Sequence, residues 1–297
     1  MLIWAAAGIA VKEALLLFSP LTLIVLRFSL AVILMSIIGL AFRSNKVIGL
    51  QRVEKKDIPL FLLGGVLQPF LYFIFETYTY QSFASPTIAE AMLSMQPVLA
   101  PIFAFVLLRE RVTSNNIIGI LLSTIGVLVL LLVGSSSFDL GSYWGIFLAF
   151  LTVSMSVGYS IVLRRIPAHY SPLSIVFYVQ SFSLVLFYIL WGGDLLLNTT
   201  QHSSILLNTT QHSSILLNSI LAVLYLAIFA SVVAFILFCY TVRYIGVTRA
   251  NIFNNIRPIF TALMMWLFFS EQLPLWKWIG ILIIIIGLFI SQKQRKV

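Results

Sequence analysis

Charge is scarce in this chain. Charged residues fill 9% of its 297 positions, and only nine side chains are acidic, where a soluble domain carries about a quarter charged residues. That shortage excludes an extensive aqueous surface, and with it a soluble receptor or scaffold domain. Cysteine is represented by Cys239 alone, so no intramolecular disulfide can form, and its apolar surroundings read as packing. The three histidines, His169, His202 and His212, fall in loop sequence without metal-ligand spacing, and no metal site is expected. No glycine-rich phosphate loop ending in Gly-Lys-Ser/Thr is present, which excludes drive by ATP. A lipid-modifying enzyme would need a His, Asp or Glu cluster at the membrane surface. None is legible, so the chain is read as a non-enzyme with no cofactor.

What fills the sequence is apolar: 61% hydrophobic residues and a mean hydropathy of +1.07. About twenty such residues cross the hydrocarbon of a bilayer. Ten spans are predicted, near 1–18, 20–42, 58–80, 85–108, 115–133, 142–163, 172–192, 219–241, 247–270 and 274–291. Pro20, Pro59, Pro86, Pro172 and Pro274 stand at span starts, where a missing N–H costs nothing. The first apolar run begins at Met1. It is expected to be a span rather than a signal peptide, because only four residues precede Ala5–Ala7 and none is basic.

Basic residues orient the chain. With the amino terminus inside, inner loops and the tail at 292–297 collect fourteen of the eighteen lysines and arginines, and outer loops collect only Lys277. Both termini are therefore expected in the cytoplasm, in a plasma (inner) membrane. The net charge of +9 follows from this asymmetry and implies no nucleic-acid partner. The basic stretch from Arg43 to Lys56 reads as an anchor against anionic lipid.

Two segments match at a fixed separation of 161 residues without a gap. Thr87 falls on Thr248, Pro97 on Pro258, Glu110 on Glu271, Gly119 on Gly280 and Gly126 on Gly287. Five spans per half is an odd number, so the second half (142–291) is expected to be inverted relative to the first (1–133). The fold class is thus an all-α integral membrane protein of ten helices, arranged as two inverted five-helix repeats. Gly119/Gly126 and Gly280/Gly287, seven apart, predict close packing of the fifth and tenth spans. A second, trivial repeat, NTTQHSSILL at 198–207 and 208–217, lies in an expected outer loop, 193–218, that tolerates insertion. Asn198 and Asn208 each open an Asn-x-Thr pattern.

Polar groups inside spans are costly and face cavities. In the fourth span Thr87, Glu90, Ser94 and Pro97 share one helical face, and their images are Thr248, Asn251, Asn255 and Pro258. Pro97 and Pro258 are expected to kink their helices. The third span carries Gln68, Tyr72, Glu76 and Tyr80 at intervals of four, a carboxylate between tyrosines. Arg257, the image of Gln96, sits near the middle of the ninth span, and needs Glu76, Glu90 or an anionic substrate as its partner. Lys12 and Arg27 are read as nearer the outer end, able to snorkel. The candidate substrate-binding set is Arg257, Glu90, Ser94, Asn251, Asn255, Glu76, Tyr72 and Gln96.

The segments MQPVLAPIFAFVLLRERVTSNNIIGILLSTIGV and IRPIFTALMMWLFFSEQLPLWKWIGILIIIIG resemble the two EamA domains of the drug/metabolite transporter superfamily, and SPLTLIVLRFSLAVIL resembles that family's second span. The resemblance covers nearly the whole chain. It implies a secondary transporter of a small polar or amphipathic metabolite, such as an amino acid or nucleotide derivative, working by alternating access. Multidrug or cation efflux is the alternative. Implied partners are the substrate, membrane lipid and protons or another coupling ion, for a monomer or homodimer. The first span is shorter than is usual there, and Glu76, Glu90 and Arg257 are not part of the general pattern.

Overall fold

The computed structural model describes residues 2–42, 49–83, 86–93, 95, 96, 99, 114–132, 140–197, 213–245, 257–269 and 274–292, and among them every regular element is helical. The helices are α1 (Leu2–Ala14), α2 (Pro20–Ala41), α3 (Ile58–Gly65), α4 (Tyr72–Ser82), α5 (Pro86–Leu93), α6 (Ser114–Leu132), α7 (Leu140–Arg165), α8 (Pro172–Leu197), α9 (Ser213–Tyr225), α10 (Ala234–Ile245), α11 (Arg257–Phe269) and α12 (Leu275–Gln292). Wider π-helical turns at Val66–Leu71 and Leu226–Val233 join α3 to α4 and α9 to α10. Pro20–Ala41, Ile58–Ser82, Tyr143–Arg165, Pro172–Asp194 and Ile215–Thr241 are each long and apolar enough to cross a bilayer.

Local sequence sets the helix starts. Pro20 opens α2, and the Ser19 hydroxyl accepts from the Thr22 N–H at 3.3 Å. Pro172 opens α8, and the Ser171 hydroxyl accepts from the Ser174 N–H at 3.1 Å. In each pair serine satisfies an orphan donor and proline occupies a position that has none to lose. Many hydroxyls within the spans are spent on their own helix. Ser36, Thr79, Thr152 and Ser160 each donate to the carbonyl four residues back, which removes them from the list of cavity groups.

One expectation is corrected. The outer loop expected at 193–218 is shorter, because α8 runs to Leu197 and α9 begins at Ser213. The flanks GGDLLL and SSILLN continue the helical apolar pattern, so the helices extend past the hydrocarbon boundary used to set the spans.

The helix α6 packs along α12, and the contacts are reciprocal. A Cβ on Gly126 would lie 2.8 Å from the Gly280 carbonyl oxygen, and one on Gly287 would lie 2.8 Å from that of Gly119. Between these points the Ser123 hydroxyl donates to the Ile284 carbonyl at 3.3 Å. Position rises along one helix as it falls along the other, so the two run antiparallel.

Two apolar clusters surround the centre. The larger joins α2, α3, α4, α7, α8 and α10 through Phe28, Phe61, Phe73, Tyr159 and Phe187. The other gathers α1, α5, α7, α9 and α12. Although α1 opens the chain, it is bonded almost entirely to late segments. Tyr225 Oη donates to Ile3 O, Trp4 Nε1 to Ala230 O, Thr261 Oγ1 to Ala5 O and Ser219 Oγ to Glu13 O, all at 2.8–3.2 Å.

Candidate functional site

Three buried charged side chains line one cavity, Arg27 from α2, Glu76 from α4 and Arg257 from the start of α11, and a fourth, Glu90 from α5, is paired to Arg257 behind it. None is more than 8% exposed. Arg27, Glu76 and Arg257 line the cavity together with Gln68, Tyr72, Tyr80, Gln96 and Ser156, against an apolar wall of Trp4, Phe73, Phe235 and Phe238. The formal charges cancel.

The ionic contacts are specific. Arg257 Nη2 donates to Glu90 Oε1 at 2.8 Å, and the Tyr80 hydroxyl donates to the same oxygen. Glu90 Oε2 and Arg257 Nε are buried without a hydrogen-bond partner among the described residues. The Arg257 guanidinium also lies 5.9 Å from the centre of the Trp4 ring, close enough for attraction to its π face. The approach of α1 depends on Gly8, where a Cβ would stand 2.8 Å from the Tyr80 hydroxyl oxygen and 3.0 Å from Glu90 Oε1.

Glu76 accepts from the Tyr72 hydroxyl at 2.8 Å, one turn away on the same helix face. Arg27 donates through Nε to the Ser231 hydroxyl at 2.6 Å and lies 4.3 Å from the centre of the Phe73 ring.

The π-helical turns help build this environment. Within Val66–Leu71, Gln68 leaves helical geometry (φ −152°, ψ 115°) and Pro69 has no N–H to give, so the ladder breaks beside the cavity. In Leu226–Val233 the wider turn leaves carbonyls for other donors. Ala230 O accepts from Trp4 Nε1 at 3.2 Å, and Ser231 O from Gln180 Nε2 at 2.7 Å. Residues 66–71 map, at the repeat spacing of 161, onto 227–232, inside the second π-helical segment.

The cavity measures about 30 Å³. About 10–15 Å³ admits one water, so this conformation has room for a water or two and none for a metabolite.

Of the sequence-derived site residues, the structure brings Arg257, Glu76, Tyr72 and Gln96 to the cavity and Glu90 to Arg257. Ser94, Pro97, Asn251 and Asn255 lie outside the described residues, as does the side chain of Pro258. Arg27 is a correction. It does not snorkel to the outer surface but is 3% exposed and lines the cavity. A charge eight residues into a 22-residue apolar helix was the available signal. Lys12 is likewise held in place, donating to the Phe83 carbonyl. Trp4 carried no signal of its own.

At the end of the bundle where the 49–57 and 166–171 segments meet, Tyr170 donates to Asp57 Oδ2 at 2.7 Å and accepts from the Glu54 N–H at 3.0 Å. His169 Nε2 stands 3.7 Å from Glu54 Oε1. Glu54, Asp57 and His169 thus come together, although their sequence spacing showed no ligand pattern. Lys56 already bonds Glu54 Oε2 at 2.7 Å.

A helical membrane bundle that keeps charged side chains buried around a cavity has the make-up of a transport pathway. The comparisons with known proteins name the group: residues 1–132 and 143–292 match the EamA-like transporter family, and the chain belongs to it. It is 27% identical to the uncharacterized transporter YetK of Bacillus subtilis, over 84% of this chain and 72% of YetK. An uncharacterized transporter of Archaeoglobus fulgidus is 22% identical over 98% of this chain and 95% of its own length. A solved crystal structure superposes with a TM-score of 0.63 at 18% identity, covering 98% of this chain and 92% of that one, a likeness of fold.

Proposed function

We propose that this EamA-type transporter moves a small polar or amphipathic metabolite, of the amino-acid or nucleotide-derivative kind, by alternating access through the central cavity. The substrate is held by Arg257, Glu90, Glu76, Tyr72 and Gln96, with Arg27 added, and by Ser94, Asn251 and Asn255 on the same helical faces. The observation that carries the reading is three buried charges lining one cavity, with a fourth, Glu90, paired to one of them. Burying charge is costly and is retained where it serves a pathway. The cavity is too small for cargo, so it must widen in another conformation, as alternating access requires.

The halves 1–133 and 142–291 act as two inverted five-helix repeats that rock about the cavity, and both termini face the cytoplasm. The antiparallel, reciprocal contacts of α6 and α12 favour that arrangement, as do the matched π-helical turns. Pro97 and Pro258 would kink equivalent helices. Efflux of a bare cation is favoured less, because two guanidinium groups, Arg27 and Arg257, stand in the cavity beside a single carboxylate, Glu76.

The test is counterflow in proteoliposomes against pooled labelled metabolites, driven first by gradients of protons and then of other ions. Exchange of at least one pool, lost in Arg257→Gln, is expected. No exchange of any pool by correctly folded protein would overturn the reading.

A further inference from the structure

We propose that Glu90 is a proton-binding site, and that its protonation releases Arg257 to hold the anionic group of the cargo, so that a proton on Glu90 and a monoanion at Arg257 are carried together. This rests on the transport reading above and adds the coupling ion and the charge of the substrate. The geometry of the pair carries it. Guanidinium and carboxylate can form two parallel bonds, yet here one oxygen, Glu90 Oε1, receives both Arg257 Nη2 and the Tyr80 hydroxyl. Glu90 Oε2 and Arg257 Nε are left buried and without partners among the described residues. The pair therefore keeps one open position on each member: a lone pair that can take a proton, and an N–H that can take an anion.

The exchange balances. A proton from the aqueous phase bonds to Glu90 Oε2. The ionic contact of Arg257 with Glu90 breaks, and one with the cargo carboxylate or phosphate monoanion forms. The neutral carboxyl and the new ion pair carry the same net charge as the old pair, so the buried set stays neutral throughout.

The surrounding groups fit this exchange. On α4, Tyr80 remains as a donor to Oε1, and Glu76 is held by Tyr72. On α2, Arg27 is held by Ser231. The neighbouring part of α1 brings Gly8 and Trp4, and its charged residues Lys12 and Glu13 lie a turn further on, with Lys12 bonded to the Phe83 carbonyl. The charges of α7 are Arg164 and Arg165 at its far end, and α6 has none. Arg257 is the one cation paired to Glu90 among the described residues.

Infrared difference spectra of the full chain in proteoliposomes, acidic minus alkaline buffer, test this directly. The chain has nine acidic side chains, so the expected signal is the component of the protonated-carboxyl stretch that the native protein shows and Glu90→Gln lacks. Glu90→Gln leaves Arg257 unpaired and can misfold, so the double variant Glu90→Gln/Arg257→Gln, with no charge stranded, is measured beside it and is also expected to lack that component. At neutral pH, a saturating pool of metabolite carboxylates and phosphate monoesters is expected to make the component grow in the native protein. A native spectrum no different from that of the double variant, or a Glu90-dependent component indifferent to the anion pool, would each overturn the proposal. Counterflow that persists while the band fails leaves the transport reading standing. A Glu90 band that behaves as expected without any counterflow overturns the transport reading instead.

Discussion

Ser123 hydrogen-bonds the carbonyl of Ile284, 161 residues later in the chain, and 161 is the spacing at which the two repeated segments align. A residue bonded to its own repeat image is what the proposed inverted repeats require. The same seam between α6 and α12 brings Gly126 to Gly280 and Gly287 to Gly119.

Enlarging this seam should therefore loosen the halves. In Gly126→Val or Gly287→Val the new Cβ meets backbone atoms, which cannot swing aside. A loss of about 1–3 kcal/mol is expected, read as a lower melting temperature in detergent. Gly192→Val, where nothing stands within 4 Å, should change stability by less than about 0.5 kcal/mol.

The Arg257–Glu90 pair should show strong coupling in a double-mutant cycle. Removing one partner strands a buried charge, at a cost of about 3–5 kcal/mol. Arg257→Gln and Glu90→Gln should each lower the melting temperature sharply, and the double variant should recover most of the loss while remaining inactive in counterflow. Additive single effects would mean that the two do not act as a pair.

Arg27 should prove as necessary to transport as Arg257. Arg27→Gln is expected to remove counterflow, and Arg27→Lys to restore it only in part, because a point charge cannot keep both the Ser231 bond and the stack on Phe73. Ser231→Ala, which removes one hydrogen bond, should cost about 1 kcal/mol, a several-fold loss of rate. Native rates in Arg27→Gln would remove it from the site.

Orientation is checked with single cysteines in a Cys239→Ser background. Leu50→Cys and Val297→Cys should be shielded from impermeant thiol reagents in intact cells, and Ile205→Cys should react. The reverse pattern would invert the topology. Cys239 is 1% exposed, so replacing it leaves the surface unchanged.

Five membrane-crossing helices, the proline starts and the glycine seam were legible because hydropathy and small residues report directly on lipid contact and close packing. Arg257 and the Gln68–Tyr80 stripe were legible for the converse reason, as polar groups where none is cheap. The partner of Arg257 was not. Glu76 and Glu90 were equal candidates in the sequence, and only the fold, with Gly8 admitting α1 beside Tyr80 and Glu90, distinguishes them. Arg27 was misplaced because depth along a span does not say whether an arginine faces lipid or a neighbouring hydroxyl. The turn at Leu226–Val233 was illegible, since its sequence, LAIFASVV, is that of any buried helix.

The bonds made by α1 bear on the order of assembly. Its first half is fastened to Tyr225, Ala230 and Thr261, between 222 and 256 residues downstream. These three bonds of α1 can form only after most of the described chain has been made. Until α9 and α11 are made, only its earlier neighbours near Tyr80, Phe83 and Glu90 hold it. A chain halted before residue 213 would carry all of α1 and none of these three anchors. Newly made protein should thus stay sensitive to proteolysis in α1 until α11 has been made.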